Sequence, residues 1–156
     1  MKLQFLILAA MLLFPSVGRA AVLEPVRDAE LTEVLANFQI LAVADHPQSK
    51  GMYVRILKVQ DHGECDGSPN SCPKSKLYIA VSEYGEYPEQ KVYRLPSRHN
   101  WEFVGWIKLP DTDNPQDYVQ LRLRAQKPAK DLTKGWWINE TYIVKVNYSN
   151  GTWNKE

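Results

Sequence analysis

After residue 38 the chain repeatedly alternates apolar and polar positions, the pattern of β-strands with one face in a core and the other in water. In YVQLRLRAQ (118–126), for example, Val119, Leu121, Leu123 and Ala125 alternate with polar residues and with Tyr118. The same reasoning predicts strands at KLYIAVS (76–82), KVYRL (91–95), WEFVGWIKL (101–109) and TYIVKVNY (141–148). MYVRILKV (52–59) is apolar on both faces and predicts a central strand, and QILAVA (39–44) is a weaker candidate.

The fold class predicted from this pattern is mainly β. Six or seven strands, separated by short connectors rich in turn residues such as LPSRHN (95–100), favour antiparallel pairing in a β-sandwich or a small barrel. The pattern does not choose between these two. One N-terminal helix is predicted over DAELTEVLANF (28–38), where Leu31, Val34, Leu35 and Phe38 form a single apolar stripe. We expect this helix to cover an open end or an edge of the sheet.

The first twenty residues have the build of a secretory signal peptide. Lys2 precedes an apolar run, Pro15 breaks it, and small residues precede a predicted cut before Ala21. We therefore expect residues 21–156 to form a single exported domain, periplasmic or extracellular, with no stable membrane anchor after cleavage. Removing Lys2 and Arg19, with no acidic residue, changes the formal net charge from +1 to −1. This balance argues against a nucleic-acid partner.

The stretch HGECDGSPNSCP (62–73) contains both cysteines of the chain. In an exported protein a close pair of cysteines predicts a disulfide, and turn residues between Cys65 and Cys72 place it in a hairpin loop. Two alternatives are a redox-active pair and a metal site, and we expect no metal or cofactor because the spacing lacks paired C-x-x-C motifs. The loop remains a secondary binding candidate through four residues: Asp61, His62, Glu64 and Asp66.

No sequence motif points to catalysis. The chain has neither a G-x-S-x-G nor an H-E-x-x-H motif, and its three histidines lie in connectors. A pair of carboxylates far apart in sequence stays open, with Glu83, Glu86, Glu89 and Glu102 available. The sequence favours a protein that is not an enzyme.

Aromatic residues are abundant, with five Trp and eight Tyr. Adjacent Trp136 and Trp137 point to opposite faces if extended, and Trp106 falls on the face of its strand opposite Trp101 unless Gly105 hosts a bulge. Exposed Trp beside Arg is typical of binding hot spots. The candidate binding residues are therefore Trp106, Trp136, Trp137, Arg122 and Arg124; the alternative is an ordinary solvated face.

Three hypotheses for function follow. The first is a non-enzymatic exported binding protein that recognises a protein or a cell-envelope glycan and that includes inhibitor- or immunity-type proteins. The second is a small cell-envelope hydrolase that uses two acids about 5–10 Å apart. The third is a structural subunit of an envelope assembly, which predicts a long unpaired edge strand or an apolar patch.

Overall fold

A computed structural model describes residues 21–25, 38–45, 52–61, 63–83, 86, 89–109 and 118–156 of the chain. These residues are mainly β, as the alternating pattern predicts. They form nine strands: β1 (Ala21–Val22), β2 (Glu24–Pro25), β3 (Phe38–Asp45), β4 (Met52–Gln60), β5 (Ser75–Glu83), β6 (Gln90–Trp106), β7 (Val119–Pro128), β8 (Trp137–Val146) and β9 (Gly151–Lys155). A 3-10 turn, η1 (Leu132–Lys134), lies between β7 and β8.

All strand pairs are antiparallel. Eight strands follow one another in a single ladder with the order β1-β9-β8-β7-β6-β5-β4-β3, and β2 pairs with β6 beside this path. The ladder is open, because within the described ranges its end strands β1 and β3 do not pair with each other. The prediction of antiparallel β structure is confirmed, and the alternative of a closed small barrel is wrong.

The long strand β6 belongs to both halves of the ladder. Its first part, through Arg98, pairs with β5, and its remainder, from His99, pairs with β7. Between these parts the register shifts, and Asn100 adopts a left-handed φ of 48°. The prediction that LPSRHN is a connector between two strands is therefore wrong. The proline and asparagine of this stretch instead make a bulged corner inside one strand, where a missing ladder hydrogen bond is tolerated.

One apolar cluster joins the two halves. It contains Val54 and Ile79 from β4 and β5 together with Leu121 and Val144 from β7 and β8, all fully buried. The alternation predicted for residues 118–126 is confirmed, because the side chains predicted to face the core are at most 1% exposed: Val119, Leu121, Leu123 and Ala125. A smaller cluster around Val59 and Tyr78 packs separately.

The loop between β4 and β5 contains a disulfide between Cys65 and Cys72, with an S–S distance of 2.11 Å. Beyond the last ladder pair, Gln60 with Ser75, the Asp61 amide still donates to the Lys74 carbonyl. The disulfide therefore closes the tip of a hairpin loop, as predicted.

The predicted N-terminal helix over 28–38 is not part of the fold that the structure describes. Residues 28–37 lie outside the described ranges, and Phe38, its predicted last residue, begins strand β3. The assignment of Phe38 to a helix is wrong because its backbone pairs with Val59 in a ladder. The predicted signal peptide, residues 1–20, also lies outside the described ranges. Within those ranges no helix has the length and apolar character needed to cross a membrane.

Candidate functional site

The two arginines singled out from the sequence lie on the outer face of β7, and both are engaged by carboxylates. Arg122 makes two hydrogen bonds to Glu156, at 3.1 and 2.9 Å, and Arg124 makes two to Glu102, at 2.9 and 2.6 Å. Hydrogen bonding from Arg124 lowers the pKa of Glu102. The positive stripe expected from the sequence is thus largely neutralised by its neighbours.

Trp106 packs against the apolar core. A register shift between Phe103 and Gly105 brings Trp106 opposite Leu121, and its ring lies 5.1 Å from that of Phe103. This is the bulge that Gly105 was expected to permit as the alternative to exposure. Trp106 is therefore separated from the exposed face that carries Arg122 and Arg124.

Trp136 and Trp137 differ in exposure, as adjacent residues of an extended segment should. Trp136 is 43% exposed, whereas Trp137 is half-buried with its ring 4.7 Å from that of His99. His99 is buried, and its Nδ1 lies 3.2 Å from the Pro73 carbonyl oxygen. The structure therefore places Trp137 beside the corner of β6, opposite Pro128, which is four residues along β7 from Arg124. The five residues do not form one cluster, and their role in binding stays a prediction.

Two of the three loop candidates that the structure describes are exposed. Glu64 and Asp66 are exposed and Asp61 is half-buried, while His62 lies outside the described ranges. Among the residues that the structure describes, no group of three His, Cys, Asp or Glu side chains is placed to hold a metal ion.

One concave feature of the described residues is a cleft that we call the mouth, made of two adjoining cavities that share Arg98 and Glu140. The smaller cavity, of about 370 Å³, is also lined by Lys74, His99 and Lys127. The larger cavity, of about 570 Å³, is also lined by Ala21, Tyr142, Trp153 and Lys155. Both volumes fall in the range of small-molecule sites, about 300–1,000 Å³.

Strand geometry explains how charged side chains reach the mouth. On β8, Glu140 is on the same face as Tyr142, Val144 and Val146, which are buried in the core. On β7, Lys127 likewise continues the face of Ala125. On each of these two strands the side chains on the core-facing side are apolar until the end of the strand, where they become charged. The mouth lies beside these charged side chains, at the edge of the apolar core.

Glu140 is the hub of this charged layer. Its side chain is only 10% exposed and forms ion pairs with Lys127 and Lys155, the latter at 2.8 Å, while the Tyr142 hydroxyl donates to it at 2.6 Å. Burial alone would raise the pKa of Glu140, but hydrogen bonds from Lys127, Lys155 and Tyr142 outweigh it and lower the pKa to about 2. Glu140 is therefore an anion at neutral pH and a poor general acid.

Arg98 lies beside the same network. Burial raises the pKa of Tyr142, the neighbouring Arg98 guanidinium opposes that rise, and the Tyr142 hydroxyl donates to Glu140. Tyr142 itself is buried, with the rings of Trp101 and Trp153 at 5.2 and 5.3 Å. Because Arg98 has five N–H donors, donors remain for a ligand in either cavity. Arg98 thus places one guanidinium between the two cavities that it lines.

The mouth has an excess of positive charge. Four cationic side chains line it, namely Lys74, Arg98, Lys127 and Lys155. Among the described residues, Glu140 is the one acidic side chain lining either cavity, so the formal balance is +3. Such a site attracts anions and orients a carboxylate or phosphate through bidentate contact with the arginine.

No protein-family model, no curated protein and no solved structure matches this chain. The mouth therefore provides the observations from which a function can be proposed.

Sequence reasoning missed the residues that form this site, including Arg98, Lys127, Glu140 and Lys155. One signal was present: Lys127 and Glu140 continue the core-facing row of a strand, where an apolar residue is expected. Arg98 carried no such signal, because it was assigned to a connector between two strands.

Proposed function

We propose that this chain is a non-enzymatic exported binding protein that recognises an anionic cell-envelope glycan through Arg98. The observation that carries the proposal is the position of Arg98, which lines both of two cavities of ligand size beside Glu140. The excess of cations around it supplies attraction without a reactive group. The inference that the chain is exported rests on the signal-like residues 1–20 and on the disulfide, a bond typical of oxidising compartments.

A glycan fits the mouth better than a flat protein surface does. The two cavities adjoin, so consecutive sugar rings can occupy them while a carboxylate of one ring contacts Arg98. Trp153 lines the larger cavity and offers an aromatic surface for the apolar face of a sugar. An acidic protein segment inserted into the mouth is the competing occupant, and a glutamate-rich peptide represents it in the binding test.

The test uses oligogalacturonate as the probe, with the same oligosaccharide reduced at its carboxyl groups as the neutral match and a glutamate-rich peptide as the protein-like anion. Calorimetric titration should show binding of the acidic sugar and none of the neutral one. Arg98→Gln should weaken binding about tenfold or more, the loss expected for a charge-assisted hydrogen bond. Arg122→Gln is the matched control, because Arg122 sits on the outer face with Glu156.

Equal affinity of Arg98→Gln and the unaltered chain would overturn the proposal, as would equal losses in the two variants. Preference for the glutamate-rich peptide would replace the glycan with a protein partner. The small hydrolase, which needs a second acid near the first, gains no support from the mouth, where Glu140 is the one acidic lining residue among those described.

A structural subunit of an envelope assembly is the second candidate, and one observation favours it. Strand β3 pairs with β4 and with no other strand in the described part of the chain. It also exposes three apolar side chains, Phe38, Ile40 and Val43, at 41%, 51% and 47%. An edge of this kind is able to pair with another chain, and the oligomeric state in solution distinguishes this candidate from a monomeric binding protein.

A further inference from the structure

Ala21, which directly follows the predicted cleavage point, lines the mouth. Ala21, the first residue after the predicted cut, is exposed, pairs with Trp153 of β9 and lines the larger cavity with Arg98 and Glu140. In the uncut chain the nitrogen of Ala21 is an uncharged amide. After cleavage the same atom becomes an α-amine, which is protonated at neutral pH.

We propose that removal of residues 1–20 completes the binding site, because it places the α-ammonium group of Ala21 in the mouth as a further cation for the anionic ligand. This inference rests on the proposed function, including export with cleavage before Ala21. The new group belongs to a backbone that β9 holds in register, with Ala21 opposite Trp153 and Val22 opposite Thr152. The amide of Leu23 donates to the Gly151 carbonyl at 2.7 Å and extends this pairing by one residue.

The packing of Leu23, the residue after the paired strand β1, also holds this N-terminal segment in place. Leu23 is 2% exposed and belongs to the main core, and Gly151 leaves room for it: a Cβ there would lie 2.7 Å from Leu23 Cδ1. The chain terminus is therefore anchored two residues from its new amine. A positioned terminus contributes more to binding than a free one, because less conformational entropy is lost when the ligand binds.

The site provides a pH signature for this amine. The ionisable groups that line the cavity with Ala21 are Arg98 of β6, Glu140 and Tyr142 of β8, and Lys155 of β9. An arginine guanidinium is not deprotonated in proteins, and Glu140 has its pKa lowered to about 2. Burial raises the pKa of Tyr142, and the hydrogen bond to Glu140 raises the pKa of Lys155. None of the four changes charge between pH 7 and 9, whereas an α-amine titrates at about 7.7–8.0.

The experiment compares three forms of the mature chain with the oligogalacturonate probe. One begins at Ala21, one carries Gly-Ser before Ala21, and one has its α-amine converted to a ketone by transamination, which leaves lysine amines intact. At pH 7 the ketone form should bind about threefold more weakly, the scale of a solvent-accessible ion pair, and the extended form should also be weakened. The chain that begins at Ala21 should lose this advantage as pH rises to 9, while the affinity of the ketone form stays flat.

The outcomes separate this inference from the proposed function. Equal binding by the amine and ketone forms, with Arg98→Gln still impaired, would overturn the role of Ala21 and leave the mouth as the binding site. Absence of binding by every form would overturn the proposed function itself. N-terminal sequencing of the chain recovered after export should give Ala21 as the first residue, and a different first residue would also overturn the inference.

Discussion

At the scale of single residues, surroundings decide what Glu140 can do. A carboxylate in a layer that is mostly shielded from water would ordinarily be costly, and three hydrogen-bonded neighbours offset that cost. The result is an ionised side chain that holds Lys127, Lys155 and Tyr142 in place. Its contribution is structural, because it orients the groups around a ligand site and has no proton to give at neutral pH.

We expect Glu140→Gln to lower the free energy of unfolding by about 1–2 kcal/mol at pH 7, because two charged partners lose their counter-charge. The pKa of Glu140 in the folded protein, about 2, is below the unfolded value of about 4.3. Its stabilising effect is therefore fully present above pH 4.3 and is lost as pH falls towards 2. Urea unfolding at several pH values from 7 to 2 measures this difference.

Glu156→Gln is the control for that measurement. The Glu156 pair with Arg122 is solvent-exposed, at 46% and 43% of the two side chains, so its loss should cost about 0.5 kcal/mol or less. If the difference in free energy of unfolding between Glu140→Gln and the unaltered chain stayed constant down to pH 2, that result would contradict the ionic explanation.

At the scale of elements, strands that alternate cleanly were predictable and the corner of β6 was not. Residues 118–126 follow a period of two, and their burial in β7 agrees with it. The β6 corner combines Pro96, which cannot donate to a ladder, with Asn100 at positive φ. Locally these residues are typical of a connector. Only pairing with β5 on one side and β7 on the other, both distant in sequence, makes them part of one strand.

The disulfide in the hairpin between β4 and β5 should contribute measurably to stability. Replacing both Cys65 and Cys72 with serine should lower the free energy of unfolding by about 2.5 kcal/mol, because the open loop gains conformational freedom in the unfolded chain. Guanidinium unfolding of the double variant, of the oxidised chain and of the chain kept reduced measures the loss. The reduced chain and the double variant should agree; a double variant as stable as the oxidised chain would contradict the prediction.

At the scale of the whole molecule, the mouth shows what sequence patterns leave undetermined. Lys74 follows the disulfide loop, Arg98 lies at the corner of β6, and Glu140 is on β8. Sequence alone indicated that strands exist and which face of several is buried. It did not give strand order, which depends on long-range pairing and is what brings these residues together. The candidate site was for that reason far less predictable than the fold class.

Strand β3 provides a prediction about the assembly state. Its ladder has a register shift between Ile40 and Ala42, and bulges of this kind hinder edge-to-edge pairing. We therefore expect residues 21–156 to sediment as a monomer at micromolar concentrations. Self-association that Ile40→Lys abolishes, and that Val104→Lys at another exposed apolar position leaves unchanged, would instead favour the structural-subunit candidate.

The sharing of β6 by both halves of the ladder has a consequence for folding. Neither β3-β4-β5 nor β7-β8-β9 can complete its hydrogen bonding until this one strand is in place. Both halves also contribute side chains to the same apolar cluster, so neither half would have a complete core without the other. The domain should therefore unfold in a single cooperative transition, and it offers no internal boundary at which the chain could be divided into two fragments that fold independently.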